Sequence, residues 1–93
     1  MTGNRTRNFK HETRNMKLEI ITPDKKLFEG KAKYAEFPGS EGSFGVLNDH
    51  AAMIATLKKG TIKLTEENNN VQSFEVKGGV VEVFKNKVIV LAE

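Results

Sequence analysis

The sequence predicts an all-β domain, and three observations carry that prediction. From Met16 onward, apolar and polar residues alternate with period two in short runs. The runs are broken by glycine, asparagine or Pro-Asp. No stretch approaches the length of a membrane-spanning helix, and none repeats at a fixed interval. At 93 residues the chain is expected to be one domain with a thin core, burying little more than about 60% of its unfolded surface.

Residues 1–15, MTGNRTRNFKHETRN, stand before this pattern. They hold four basic residues (Arg5, Arg7, Lys10, Arg14) against Glu12, and therefore the whole net charge of +3. Polar, unpatterned and without the apolar run of a signal peptide, they read as a disordered basic tail or extension. Residues 16–93 form the domain, with eleven basic and eleven acidic residues. A body of zero net charge has little attraction for a phosphate backbone, so nucleic acid is not expected as a partner.

The strands follow in order. In KLEIIT, Leu18 and Ile20 point one way and Lys17 and Glu19 the other, and Pro23-Asp24 ends the run. In KAKYAEF, residues 31–37, Ala32 and Tyr34 alternate with Lys31 and Lys33, and Pro38 stops the strand. TIKLT (61–65) and VQSFEV (71–76) are joined by the polar loop 66–70, while GVVEVF and VIVLAE flank Lys85-Asn86-Lys87 as a closing hairpin. Gly78-Gly79 reads as a bulge or bend between strands. The segment 48–60, NDHAAMIATLKKG, is open at this level. Met53, Ile54 and Leu57 share a helical face, with Gly60 as a stop, yet Met53, Ala55 and Leu57 also share one side of a strand.

The stretch GSEGSFGVLNDHAA, residues 39–52, concentrates the residue types that chemistry uses. A phosphate loop needs a lysine directly after its second glycine. Here Ser43 follows Gly42, and the next lysine is Lys58. A dinucleotide fingerprint needs a different first interval between glycines. Ser40 or Ser43 with His50 and Asp49 supplies the types of a nucleophilic triad, but closeness in sequence is no geometry. With no cysteine, and with His11 and His50 far apart, neither thiolate chemistry nor metal ligation is indicated. No catalytic residue, cofactor or metal is expected.

Several segments then occur in a recognisable order: LEIITP (18–23), LFEG (27–30), FPGSEGSFGVL (37–47), His50-Ala51, LKKG (57–60), FEVKGGVVEV (74–83) and VIVLAE (88–93). In these residues, from Met16 to Glu93, the chain resembles the N-terminal β-sandwich domain of the epsilon subunit of F-type ATP synthase, the subunit called delta in mitochondria. It departs from the family in having Asn48-Asp49-His50-Ala51-Ala52 where a P-x-H-A-P pattern is usual, which leaves that turn less rigid. It also stops where longer members continue into a C-terminal helical hairpin that can restrain ATP hydrolysis.

The resemblance implies a flattened sandwich or barrel of two five-stranded sheets, without the hairpin, and assigns 52–57 to a strand. It implies a non-catalytic rotor subunit in the central stalk, linking the gamma subunit to the c-ring and coupling proton translocation to ATP synthesis. The location implied is peripheral, on the cytoplasmic face of the bacterial plasma membrane, with no direct membrane insertion. Ser40, Glu41, Gly42, Ser43 and Phe44 would face the c-ring, and Gly39, Gly42 and Gly45 would shape the loop. Phe44 alternatively plugs the core. His50 and Ala51 would face gamma, or His50 would bond to nearby main chain. The reading from another class is a free-standing small β-domain that binds RNA or carbohydrate. It needs a stacking face, whereas Tyr34 and most phenylalanines are expected to look inward and there is no tryptophan.

Overall fold

In a computed structural model of the chain, the described residues are 15–48 and 50–93. The expected tail, apart from Asn15, and Asp49 lie outside them. The described residues form eight strands: β1 (Met16–Ile21), β2 (Lys26–Phe37), β3 (Phe44–Leu47), β4 (Met53–Leu57), β5 (Gly60–Glu66), β6 (Val71–Val76), β7 (Gly79–Phe84) and β8 (Lys87–Ala92). None of the described residues is helical. The ambiguous segment is strand β4, with Leu57 buried, Met53 and Ala55 half-buried, and Ile54 and Thr56 exposed.

The strands hydrogen-bond in the order β4-β7-β8-β1-β2-β5-β6, with β3 added on β2. All pairs are antiparallel except β1 with β8, where the last strand lies parallel to the first. The two hairpins expected from sequence are present. Lys85 and Asn86 have φ of 50° and 61°, the double left-handed geometry that matches the twist of a two-residue hairpin. In the β5–β6 loop Asn69 has φ of 71°, and its N–H donates to the Glu66 carbonyl at 2.9 Å.

Alternation buries one face. Leu18 and Ile20 of β1, Ile62 and Leu64 of β5, Val81 and Val83 of β7, and Val88 and Val90 of β8 join Phe37 and Val46 in one core. A sheet with a single apolar face must curl to cover it. Here β4, at one end of the order, returns to the end of β2. Ser40 N–H donates to the Thr56 carbonyl and Lys58 N–H to the Pro38 carbonyl, both at 2.9 Å, and Gly39 bridges Leu57. These bonds close β4, β7, β8, β1 and β2 into a ring.

Two expectations are corrected. Among the described residues all eight strands join in one sheet, where two of five strands were expected. β2 is twelve residues long, pairs with β1 over Lys26–Ala32, and takes β3 and β5 along its second half. One strand thus serves both halves of the curled sheet. Secondly, Tyr34 faces outward. The register of β2 against β5 slips between Ala32 and Tyr34. A bulge of this kind inserts one residue and reverses the alternation beyond it, so Ala32, Ala35 and Phe37 are buried while Tyr34 is 37% exposed. Phe84 is exposed as well, whereas Phe28, Phe44 and Phe74 pack against the core. Gly78 and Gly79, with φ of 153° and 148°, make the bend expected between strands.

Candidate functional site

The loop between β2 and β3 is built from its glycines outward. After Pro38 the chain turns sharply, with Gly39 N–H donating to the Phe37 carbonyl at 3.0 Å. Gly42 N–H then donates to the Gly39 carbonyl at 3.0 Å, which closes a turn over Ser40 and Glu41. Gly42 has φ of 129°, a conformation that a side chain resists. At Gly39 the constraint is proximity: a Cβ would stand 2.5 Å from the Gly42 carbonyl oxygen and 2.8 Å from the Phe44 ring.

The turn therefore projects Ser40, Glu41, Gly42 and Ser43, all exposed. Among the described residues no cation pairs with the Glu41 carboxylate. Phe44 is half-buried beneath them, its ring centroid 5.5 Å from that of Phe37 at a tilt of 35°. It supports the turn from the core side, in line with the plug reading. A cleft of about 350 Å³ runs between the turn and Ile54–Thr56 of β4. Both Ser40 and Thr56 line it, and their hydroxyl oxygens hydrogen-bond at 3.0 Å. Sequence reasoning did not single out Thr56. One exposed threonine in a strand carries no local signal of a contact sixteen residues away.

His50 and Ala51 stand elsewhere. β3 leads away from the turn at Phe44, and β4, which begins at Met53, meets the turn again at Thr56. His50 thus precedes the start of β4, whereas the turn is bonded near the end of that strand. Among the described residues no hydrogen bond joins His50 to Ser40 or Ser43. His50 Nδ1 lies 2.8 Å from the Ala51 carbonyl oxygen, so a ring protonated there donates to its own main chain. This is the main-chain bond considered for His50. It leaves Ala51 exposed and His50 half-buried. Among the described residues no cluster of histidines and carboxylates could hold a metal.

Residues 15–93 match the family described as ATP synthase, Delta/Epsilon chain, beta-sandwich domain. The chain belongs to this family. Among its relatives, the ATP synthase epsilon chain of Sulfurimonas denitrificans is 45% identical over 78 residues, covering 84% of this chain and 60% of that one. The epsilon chain of Desulfatibacillum aliphaticivorans is 43% identical, covering 85% and 56%. This chain therefore spans less than two thirds of the length of those two relatives, but it covers 88% of the epsilon chain of Chlorobium limicola, at 39% identity.

Two solved assemblies contain chains of the same fold. One is the mitochondrial ATP synthase of Euglena gracilis, in its OSCP/F1/c-ring structure, with a TM-score of 0.81 at 18% identity over 85% of this chain and 51% of that one. The other is the central stalk and c-ring of the Tetrahymena thermophila mitochondrial ATP synthase, with a TM-score of 0.70 at 23% identity over 83% and 62%. At these identities the likeness concerns fold. The Delta/Epsilon domain is accordingly an all-β sandwich, here formed by a single curled sheet.

Proposed function

We propose that the chain is a non-catalytic rotor subunit of F-type ATP synthase, joining the gamma subunit to the c-ring and coupling proton translocation to ATP synthesis. One observation carries the reading at residue level: the turn is bonded to β4 at Thr56 and His50 stands before its start at Met53, so the two candidate surfaces flank one strand of a closed, hydrogen-bonded unit. Such a unit transmits force between two partners without chemistry of its own. The turn Ser40–Ser43, with Phe44 beneath it, faces the ring loops, where Glu41 offers a carboxylate to basic side chains. His50 and Ala51 face gamma. The names of the relatives, and the rotor assemblies that hold the structural neighbours, support this reading.

The working unit is residues 16–93, with 1–15 as an accessory basic extension, and its place is peripheral, on the cytoplasmic face of the plasma membrane. Co-purification at mild salt tests the proposal. The tagged chain is expected to recover gamma and c subunits. RNA or carbohydrate binding that survived removal of residues 1–15, without recovery of gamma or c, would overturn it.

A further inference from the structure

The turn that carries Glu41 is fixed to β4 by more than the bonds that close the sheet. Ser40 is tied at two points to one residue: its N–H donates to the Thr56 carbonyl at 2.9 Å, and its Oγ accepts from the Thr56 hydroxyl at 3.0 Å. Two bonded hydroxyls share one proton between them and leave the other proton and further lone pairs for a third group. Both residues are exposed, so water competes for this bond and it adds little to the fold. Its consequence is local: together with the main-chain bond it favours one placement of the Ser40 oxygen.

We infer that Thr56 is a positioning residue for the partner-facing turn, holding the Ser40 hydroxyl in place for a hydrogen bond to a polar group on the opposing surface. The inference rests on the reading that this turn faces the c-ring. It adds a positioned hydroxyl beside the Glu41 carboxylate, so the surface would recognise a cation and a hydrogen-bonding polar group side by side. Ring loops that offer a basic side chain next to an accessible main-chain carbonyl have that chemistry.

The test uses the full chain assembled with gamma and measures its affinity for purified c-ring in nanodiscs. Ser40→Ala and Thr56→Val are each expected to weaken binding about two- to tenfold, the range of one hydrogen bond. Thr56→Ser, which keeps the hydroxyl, is expected to restore it. The double variant Ser40→Ala with Thr56→Val is expected to bind no more weakly than Ser40→Ala alone, because Thr56 acts only through that hydroxyl. Valine is at home in an exposed strand position, so melting is expected to move by less than about 4 °C. A wild-type affinity for Thr56→Val, failure of Thr56→Ser to rescue, or fully multiplicative losses in the double variant would overturn the inference. Glu41→Arg separates the two levels. If it weakens ring binding while Thr56→Val does not, the ring-facing reading stands and the role of Thr56 falls. If neither Glu41→Arg nor Ser40→Ala changes ring affinity, both fall.

Discussion

The phenol ring of Tyr34 lies against the main chain of Gly45, so that a Cβ at Gly45 would stand 2.7 Å from Tyr34 Cε1. The two are diagonal neighbours across β2 and β3, where Tyr34 pairs with Leu47 and Gly45 with Glu36. The contact exists because the bulge at Ala32–Tyr34 turns the ring out of the core. Gly45→Ala is therefore expected to displace the ring and destabilise the chain by about 1–2 kcal/mol, as overpacking does. Tyr34→Ala in the same background is expected to recover part of that loss. Urea unfolding of the two single variants and the double variant measures both. Additive losses would mean that the residues do not touch.

Gly42 poses the opposite case. A Cβ there meets nothing within 4 Å, yet φ is 129°. Gly42→Val should strain the backbone alone, at a cost of about 1–3 kcal/mol. Because the strain falls on the turn that projects Glu41, ring binding is expected to drop along with melting temperature. If stability stayed at the wild-type value, the turn would have an alternative geometry open to it.

How much of this was legible in the sequence depends on distance along the chain. β1 and the β5–β6 and β7–β8 hairpins could be read because alternation and turn residues are local. The conformation of 53–57 was open, since Met53, Ile54 and Leu57 share a helical face while Met53, Ala55 and Leu57 share one side of a strand, and only the family resemblance chose the strand. The bulge that exposes Tyr34 was missed. It is fixed by how β2 must pair with both β1 and β5, and nothing in KAKYAEF marks it. The same holds for the parallel pairing of β1 with β8 and for the closure at Gly39 and Leu57, which are relations between distant segments. At the candidate site, the glycine spacing announced the turn, but Thr56 became visible only through the bond to Ser40.

An ionic cluster on β1 and β2 supplies a pH test. Lys26 Nζ lies 2.9 Å from Glu29 Oε1, and Lys17 Nζ lies 3.8 Å from Glu29 Oε2. The hydrogen bond from Lys26, followed by its charge, holds the Glu29 carboxyl below the usual carboxylate range, and the same bond raises the Lys26 ammonium above the usual lysine range. Glu29 therefore supports the fold above the ordinary carboxylate value and loses that support as pH falls through its lowered value. Lys26 contributes below the ordinary lysine value and loses its contribution as pH rises through its raised value. The pair is intact across the neutral range. Side-chain NMR titration should find that Lys26→Met moves the Glu29 midpoint upward. An unmoved midpoint would mean that the ion pair does not form in solution.

The most direct test of the two-surface reading uses a feature of the sequence itself: the chain contains no cysteine, so single substitutions give clean attachment points. Glu41→Cys and His50→Cys, each labelled with a maleimide photo-crosslinker and assembled into the complete ATP synthase, would be illuminated and the products identified by mass. The expected result is a product with subunit c from position 41 and a product with gamma from position 50. Products with the same partner from both positions, or with neither partner from an assembled chain, would contradict the claim that the turn and the His50 segment face different rotor components.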